Sequence, residues 1–243
     1  MLSAVLNIFA LGYGFDIFSP VSATQWQCLA KTANITWVAP NVYLHSGLLP
    51  GAGLRPWAKE NVDTANAAGF DKVDVWMTAC RGSSATAQVQ AVVNALEGSE
   101  YSTIFLALGS GYSVDINASH FDLDCGWVTN RTSKAANCLH LQEWVGAVME
   151  SGKEAGIWVD EIFWEKAISD DCELPDETKY WWPHYDLKHD DCSGFKPFGP
   201  FKKPYLKMFI ANWYTKDITS CNIPNCTSDR VASNSTCDTD ILC

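Results

Sequence analysis

Carboxylates near the ends of apolar segments are the groups in this chain best suited to chemistry. Asp16 lies in GFDIFSP, Asp74 in VDVWM, and Asp160 and Glu161 follow the apolar run IWV. One carboxylic acid that donates a proton, with a second carboxylate that stabilises or attacks the sugar carbon, suffices to hydrolyse a glycosidic bond. In a parallel barrel the C-terminal ends of the strands build the site, so all these positions are admissible. Each also has a plainer reading. Asp74 in mid-strand suits a buried structural aspartate with hydrogen-bond partners, and Asp160 with Glu161 suits a solvated loop or helix start. The segment 102–111, STIFLALGSG, reads as a buried strand, and no Asp or Glu occurs between Glu100 and Asp115. Residues two apart on a strand share a face. Neither face of this strand therefore carries an acid.

Other chemistries find less support. No GxSxG elbow is present, so serine-nucleophile catalysis has no scaffold. LGSGYS lacks the spacing and the lysine of a phosphate-cradling loop. The ten cysteines contain no CxxC pair and the five histidines are scattered, which argues against zinc. No cofactor is expected. Aromatic side chains offer a second function, because a ring at a barrel mouth can stack on a sugar. Tyr43, Trp182 and Tyr185 are the candidates, with Trp37, Trp76 and His184 nearby in the strand pattern. Most large aromatics in a Trp-rich chain nevertheless belong to the core.

Composition bounds the class. A chain of 243 residues with 47% apolar residues and eleven tryptophans fits one α/β domain with a sizeable core. The formal charge of −11 leaves no basic footprint for nucleic acid or anionic membrane. An even set of ten cysteines, with sequons at Asn34, Asn117, Asn130, Asn225 and Asn234, points to an oxidising, secretory compartment. Residues 1–10 form a short apolar run without a basic n-region, and Ile8 and Ala10 could serve a cleavage site. They are a candidate minimal signal peptide. No stretch of about 18 apolar residues occurs, so no spanning helix is expected.

Strand and helix patterns alternate over the first two-thirds of the chain. Strands are predicted at 12–18, 35–43, 72–78, 102–108 and 157–159, with helices at 24–32 and 57–68. Val89, Val92, Val93 and Leu96 mark a third helical face, and Leu141, Trp144, Val145 and Val148 a fourth. Gly69 and Gly98 close the second and third helices. Later strands, 180–185 and 206–211, have no helix between them. The long segment 110–137 contains Cys125 and adjoins Cys138, which suggests that this pair closes it; Cys172 and Cys192 would close a second, Asp-rich loop. Residues 212–243 read as a tail packed on the barrel, held by Cys221, Cys226, Cys237 and Cys243, with Cys28 and Cys80 as acceptors.

Several of these pieces, taken in order across most of 12–211, resemble the secreted lysozymes of glycoside hydrolase family 25. GFDIFSP is similar to that family's strand-one Gly-x-Asp-x-Ser motif, with Asp16 at its active-site aspartate. VDVWMTAC and AQVQAVVNAL, then YWWPHYD and FGPFKKPYLKMF, resemble the branch found in nematodes and amoebae. The resemblance implies an irregular TIM-like (βα)5β3 barrel over residues 11–211. It also exposes departures. Ala107 and Gly109 occupy the family's Asp-x-Glu positions, and Met208 or Phe209 replaces its strand-seven glutamine. Its final aspartate has no clear counterpart, Asp238 and Asp240 being the candidates. The expected function is a secreted, N-glycosylated pseudoenzyme that recognises a peptidoglycan- or chitin-like glycan, or an extracellular protein, in host defence or extracellular assembly. Asp16, Tyr43, Trp182 and Tyr185 would form its glycan site. The alternatives are an active muramidase using displaced carboxylates, with Asp74, Asp160 and Glu161 as substitutes, and a purely structural glycoprotein.

Overall fold

The computed structural model describes residues 13–32, 35–44, 53–108, 126–127, 133–186, 192–211, 220–223 and 237–243. Five strand–helix units come first: β1 (Tyr13–Ile17), α1 (Ala23–Thr32), β2 (Ile35–Leu44), a short β3 (Gly53–Leu54), α2 (Ala58–Ala68), β4 (Lys72–Val73), β5 (Val75–Thr78), α3 (Ala85–Ala95), β6 (Thr103–Ala107), α4 (Lys134–Glu150), β7 (Glu154–Trp158) and α5 (Glu161–Ala167). Three further strands follow among the described residues: β8 (Lys179–Pro183), β9 (Leu206–Ala211) and β10 (Cys237–Leu242). The pairings run β1–β2–β5–β6–β7–β8–β9 in parallel, and β10 pairs antiparallel with both β9 and β1. The ring therefore closes as an irregular (βα)5β3 barrel. The predicted strand 72–78 is interrupted at Asp74, whose backbone N–H still reaches the Val38 carbonyl at 2.9 Å.

Period-two alternation divides each strand between two cores. Phe15, Ile17, Val38, Val75, Met77, Ile104, Leu106, Ile157 and Tyr180 face outward and pack beneath the helices. Trp37, Ala39, Phe105, Trp181, Leu206 and Met208 fill the barrel interior. Trp37, Phe105 and Trp181 meet edge to face there, with centroids 5.1–6.4 Å apart. Three such rings fit because two facing positions have no side chain. A Cβ at Gly14 would stand 2.2 Å from the Trp37 ring, and one at Gly156 would stand 2.2 Å from Phe105. Local signals end the helices as expected from their chemistry. Ser84 and Ser133 cap α3 and α4 by accepting from Ala87 N and Ala136 N, and Gly69 closes α2 at φ 88°.

Three expectations are corrected. Residues 237–242 are not tail but barrel, since β10 lies between β9 and β1. Cys138 bonds Cys172, not Cys125, and Cys192 bonds Cys243, not Cys172. Loop context suggested nearest neighbours, whereas the fold brings the start of α4 against the segment after α5, and fastens the chain end after β10. Cys28 bonds Cys221, tying α1 to the segment before β10, and Cys80 is also in a disulfide. Cys125, Cys226, the candidate signal 1–10 and all five sequon asparagines lie outside the described residues.

Candidate functional site

The parallel strands place their C-terminal ends at one mouth, and Asp16 sits there on the inner face of β1. It is buried, opposite Ala39 on β2 and Asp238 on β10 in the strand register. Three strands round the ring, Ala107 ends β6 between Thr78 on β5 and Trp158 on β7. Only 6% of it is exposed. Gly109 lies outside the described residues. The wall at β6 thus ends in a methyl group.

The substitute acids do not gather here. Asp74 is fully buried near the opposite end of the barrel. Its carboxylate accepts from Trp37 Nε1 at 2.7 Å and Thr103 N at 2.8 Å, and pairs with Lys72 Nζ at 3.0 Å. Lys72 also reaches Tyr205 Oη at 2.7 Å, while Lys179 bonds Glu154 and lies over the Tyr205 ring. Lys179 beside it holds the Glu154 carboxyl below its ordinary range. These groups form a hydrogen-bonded polar floor, and both oxygens of the Asp74 carboxylate are engaged. Asp160 does stand at the mouth end, just after β7, but as the N-cap of α5. Its Oδ1 accepts from Phe163 N at 2.6 Å. Burial raises its pKa, and the backbone donors Phe163 and Ile162 with Lys166 only partly offset this. Glu161 is exposed on the first turn of α5.

The aromatic candidates divide between the two faces. Trp182 is on the outer face, stacked on His184 at 4.2 Å and edge-on to Phe195 at 5.3 Å. Its neighbour Trp181 points inward instead, and donates Nε1 to Asp240 Oδ1 at 2.7 Å. Alternation forces adjacent residues apart, so Trp182 is corrected from mouth to outer packing. Tyr185 is exposed just beyond β8. Tyr43 is half-buried near the end of β2, and burial raises its phenol pKa. Trp76 and Trp158 flank the interior cluster, and their indole nitrogens are buried without a hydrogen-bond partner among the described residues.

One mouth residue escaped sequence reasoning. Arg55 follows β3, which folds back on the end of β2, and its backbone N–H bonds the Val42 carbonyl at 2.9 Å. Its guanidinium lies over Phe18 at 4.9 Å and Trp57 at 5.5 Å, and Nε donates to Asn41 Oδ1 at 3.0 Å. Phe18 in turn meets Trp76 at 5.0 Å. A loop arginine has no periodicity to betray it; the Pro–Trp pair after it was the one available signal. Among the described residues, no group of three or more His, Cys, Asp or Glu could hold a metal ion, and no helix is long and apolar enough to cross a membrane.

Comparison with known proteins gives this architecture a family. The family model described as Lysozyme-like protein 1 matches residues 7–209. Lysozyme-like protein 5 of Caenorhabditis elegans is 30% identical over 201 residues, covering 81% of this chain and 82% of that protein. A family GH25 lysozyme from Aspergillus fumigatus has the same fold, with a TM-score of 0.61 over 96% of this chain and 94% of that one, at 10% identity. A muramidase from Trichobolus zukalii gives 0.60 over 96% and 93%, at 14% identity.

Proposed function

The chain belongs to the Lysozyme-like protein 1 family, and from that premise we propose that it is a secreted glycoprotein that has lost muramidase activity and acts by recognition. The observation carrying this reading is Ala107. Glycoside hydrolysis needs carboxyl groups flanking the scissile bond. Asp16 and, by register, Asp238 are on adjacent strands at one wall, while the wall at β6 ends in a methyl group. Asp74 is held in the floor by three partners. Loss of a general acid alone forfeits about 10²–10⁴ in rate. Secretion is supported by the disulfides and the five sequons. A glycan is the favoured ligand, because aromatic faces with a few oriented polar groups are what a sugar site requires, and Asp16 and Tyr43 supply polar groups.

The test is purified protein on bacterial walls, alongside titration with chitin- and peptidoglycan-derived oligosaccharides read by tryptophan fluorescence. No lysis above background with a response at millimolar sugar is the expected result. Restoring Ala107→Asp with Gly109→Glu should return some lysis if the groove is otherwise intact. One observation favours a second reading, an active muramidase with displaced acids: burial raises the Asp160 pKa, as a general acid requires. Robust lysis abolished by Asp160→Asn would establish that reading and end the first. Neither lysis nor sugar binding would leave a structural or protein-binding role.

A further inference from the structure

The geometry points to Arg55 as a carboxylate subsite at the barrel mouth, so that the ligand is an acidic saccharide. This rests on the glycan-recognition reading above and narrows it. Three other cations of the barrel pair with acids, Lys72 with Asp74, Lys179 with Glu154 and Lys207 with Asp186, while half-buried Arg81 and Lys153 bond Asn137 and the Tyr101 carbonyl. Arg55 makes no ion pair with any described carboxylate. Burial lowers its pKa with no acid to offset it, so the charge is held partly desolvated at a cost to the folded state.

Its setting is built rather than loose. Phe18 and Trp57 lie against the guanidinium, and Asn41, itself fully buried, fixes Nε. Asn41 is oriented in turn by the carbonyls of Tyr43 and Trp76, each 3.4 Å from its Nδ2. These contacts engage the Nε edge and the ring faces of the guanidinium. No hydrogen bond from its terminal Nη groups to a described residue accompanies them. A planar fork with its Nη edge open matches a carboxylate, which takes two parallel N–H bonds. Arg55 stands just past β3, which folds back on the end of β2, so it is at the rim of the mouth rather than inside it. The acidic group is therefore held at the rim and the neutral part of the sugar points toward Asp16.

Salt is a poor probe, because a chain of charge −11 repels anions generally, and screening weakens that repulsion together with the local attraction. A neutral isostere is the better control. The full-length secreted protein is titrated with the N-acetylglucosaminyl–N-acetylmuramic acid disaccharide, its methyl ester, and a glucuronyl–N-acetylglucosamine disaccharide. At least one acid should bind about tenfold more tightly than its neutral counterpart, the scale of a charge-assisted pair. Whichever acid shows the gain identifies a muramyl or a uronyl source. Arg55→Gln should remove the gain, so that acid and ester bind alike, while Arg55→Lys keeps part of it. The acid–ester comparison on the unmodified chain needs no variant to fold. Acid and ester binding equally would overturn the subsite and leave glycan recognition standing. No binding of any disaccharide would overturn both.

Discussion

Trp181 and Asp240 are joined inside the barrel by a 2.7 Å hydrogen bond that spans the strand between them, since β9 separates β8 from β10. The bond ties the last strand of the chain to the aromatic interior, and Asp240 has no solvent exposure. Asp240→Ala leaves the indole N–H buried without its acceptor. It should cost about 1–3 kcal/mol, and Asp240→Asn, which keeps an acceptor, should cost less. Urea denaturation followed by tryptophan fluorescence measures both; equal stability of Asp240→Ala and the unmodified protein would remove this bond from the barrel's support.

Asp74→Ala makes a sharper demand. It strips the acceptor from Trp37 and from the Thr103 backbone and leaves Lys72 without its carboxylate. Breaking a buried pair from one side costs about 3–5 kcal/mol. The expected outcome is a large loss of stability with no specific effect on sugar affinity in whatever fraction remains folded. A variant that melts normally and loses binding or lysis would return Asp74 to the functional site.

The same residues show what was legible from sequence. The outward apolar series of β1, β5, β6 and β7 made the barrel readable, and the lack of a helical pattern between 180–185 and 206–211 marked its irregular end. β10 was hidden because Asp240 stands on its inward face, where a core strand would carry an apolar residue; its partner Trp181 explains that acid only once the fold is known. Trp181 and Trp182 had to face opposite ways, yet periodicity could not say which faced in. Disulfide partners were misassigned because they depend on which segments the closed ring brings together. Arg55 was invisible because its role comes from β3 folding back on β2, a two-residue pairing with no hydrophobic pattern.

Trp182 and Tyr185 should behave in opposite ways. Trp182 is packed between His184 and Phe195 on the outer face, with Lys207 Nζ 5.5 Å from its ring. Trp182→Ala removes a large, well-packed ring and should lower stability by about 2–4 kcal/mol, with sugar affinity unchanged. Tyr185 is 40% exposed, so Tyr185→Ala should be nearly neutral in melting temperature and should weaken sugar binding. Loss of binding in Trp182→Ala at full stability would place the sugar on the outer face instead.

Asp160 supplies a test that depends on pH. Its folded-state pKa is raised, chiefly by burial, so the folded protein holds this proton more tightly than the unfolded chain does. By linkage, its contribution favours folding fully below the ordinary aspartate range and is lost as pH rises through the raised folded value. Asparagine keeps the N-cap acceptor for Phe163 N and never ionises. Asp160→Asn should therefore match the unmodified protein at acidic pH and become relatively more stable as pH climbs through and above the ordinary carboxylate range. Melting temperatures of the two proteins across pH 3–8 decide the matter. A gap that widens toward acid instead would mean that the ionised cap stabilises α5 more than burial penalises it, and the general-acid reading of Asp160 would lose its physical basis.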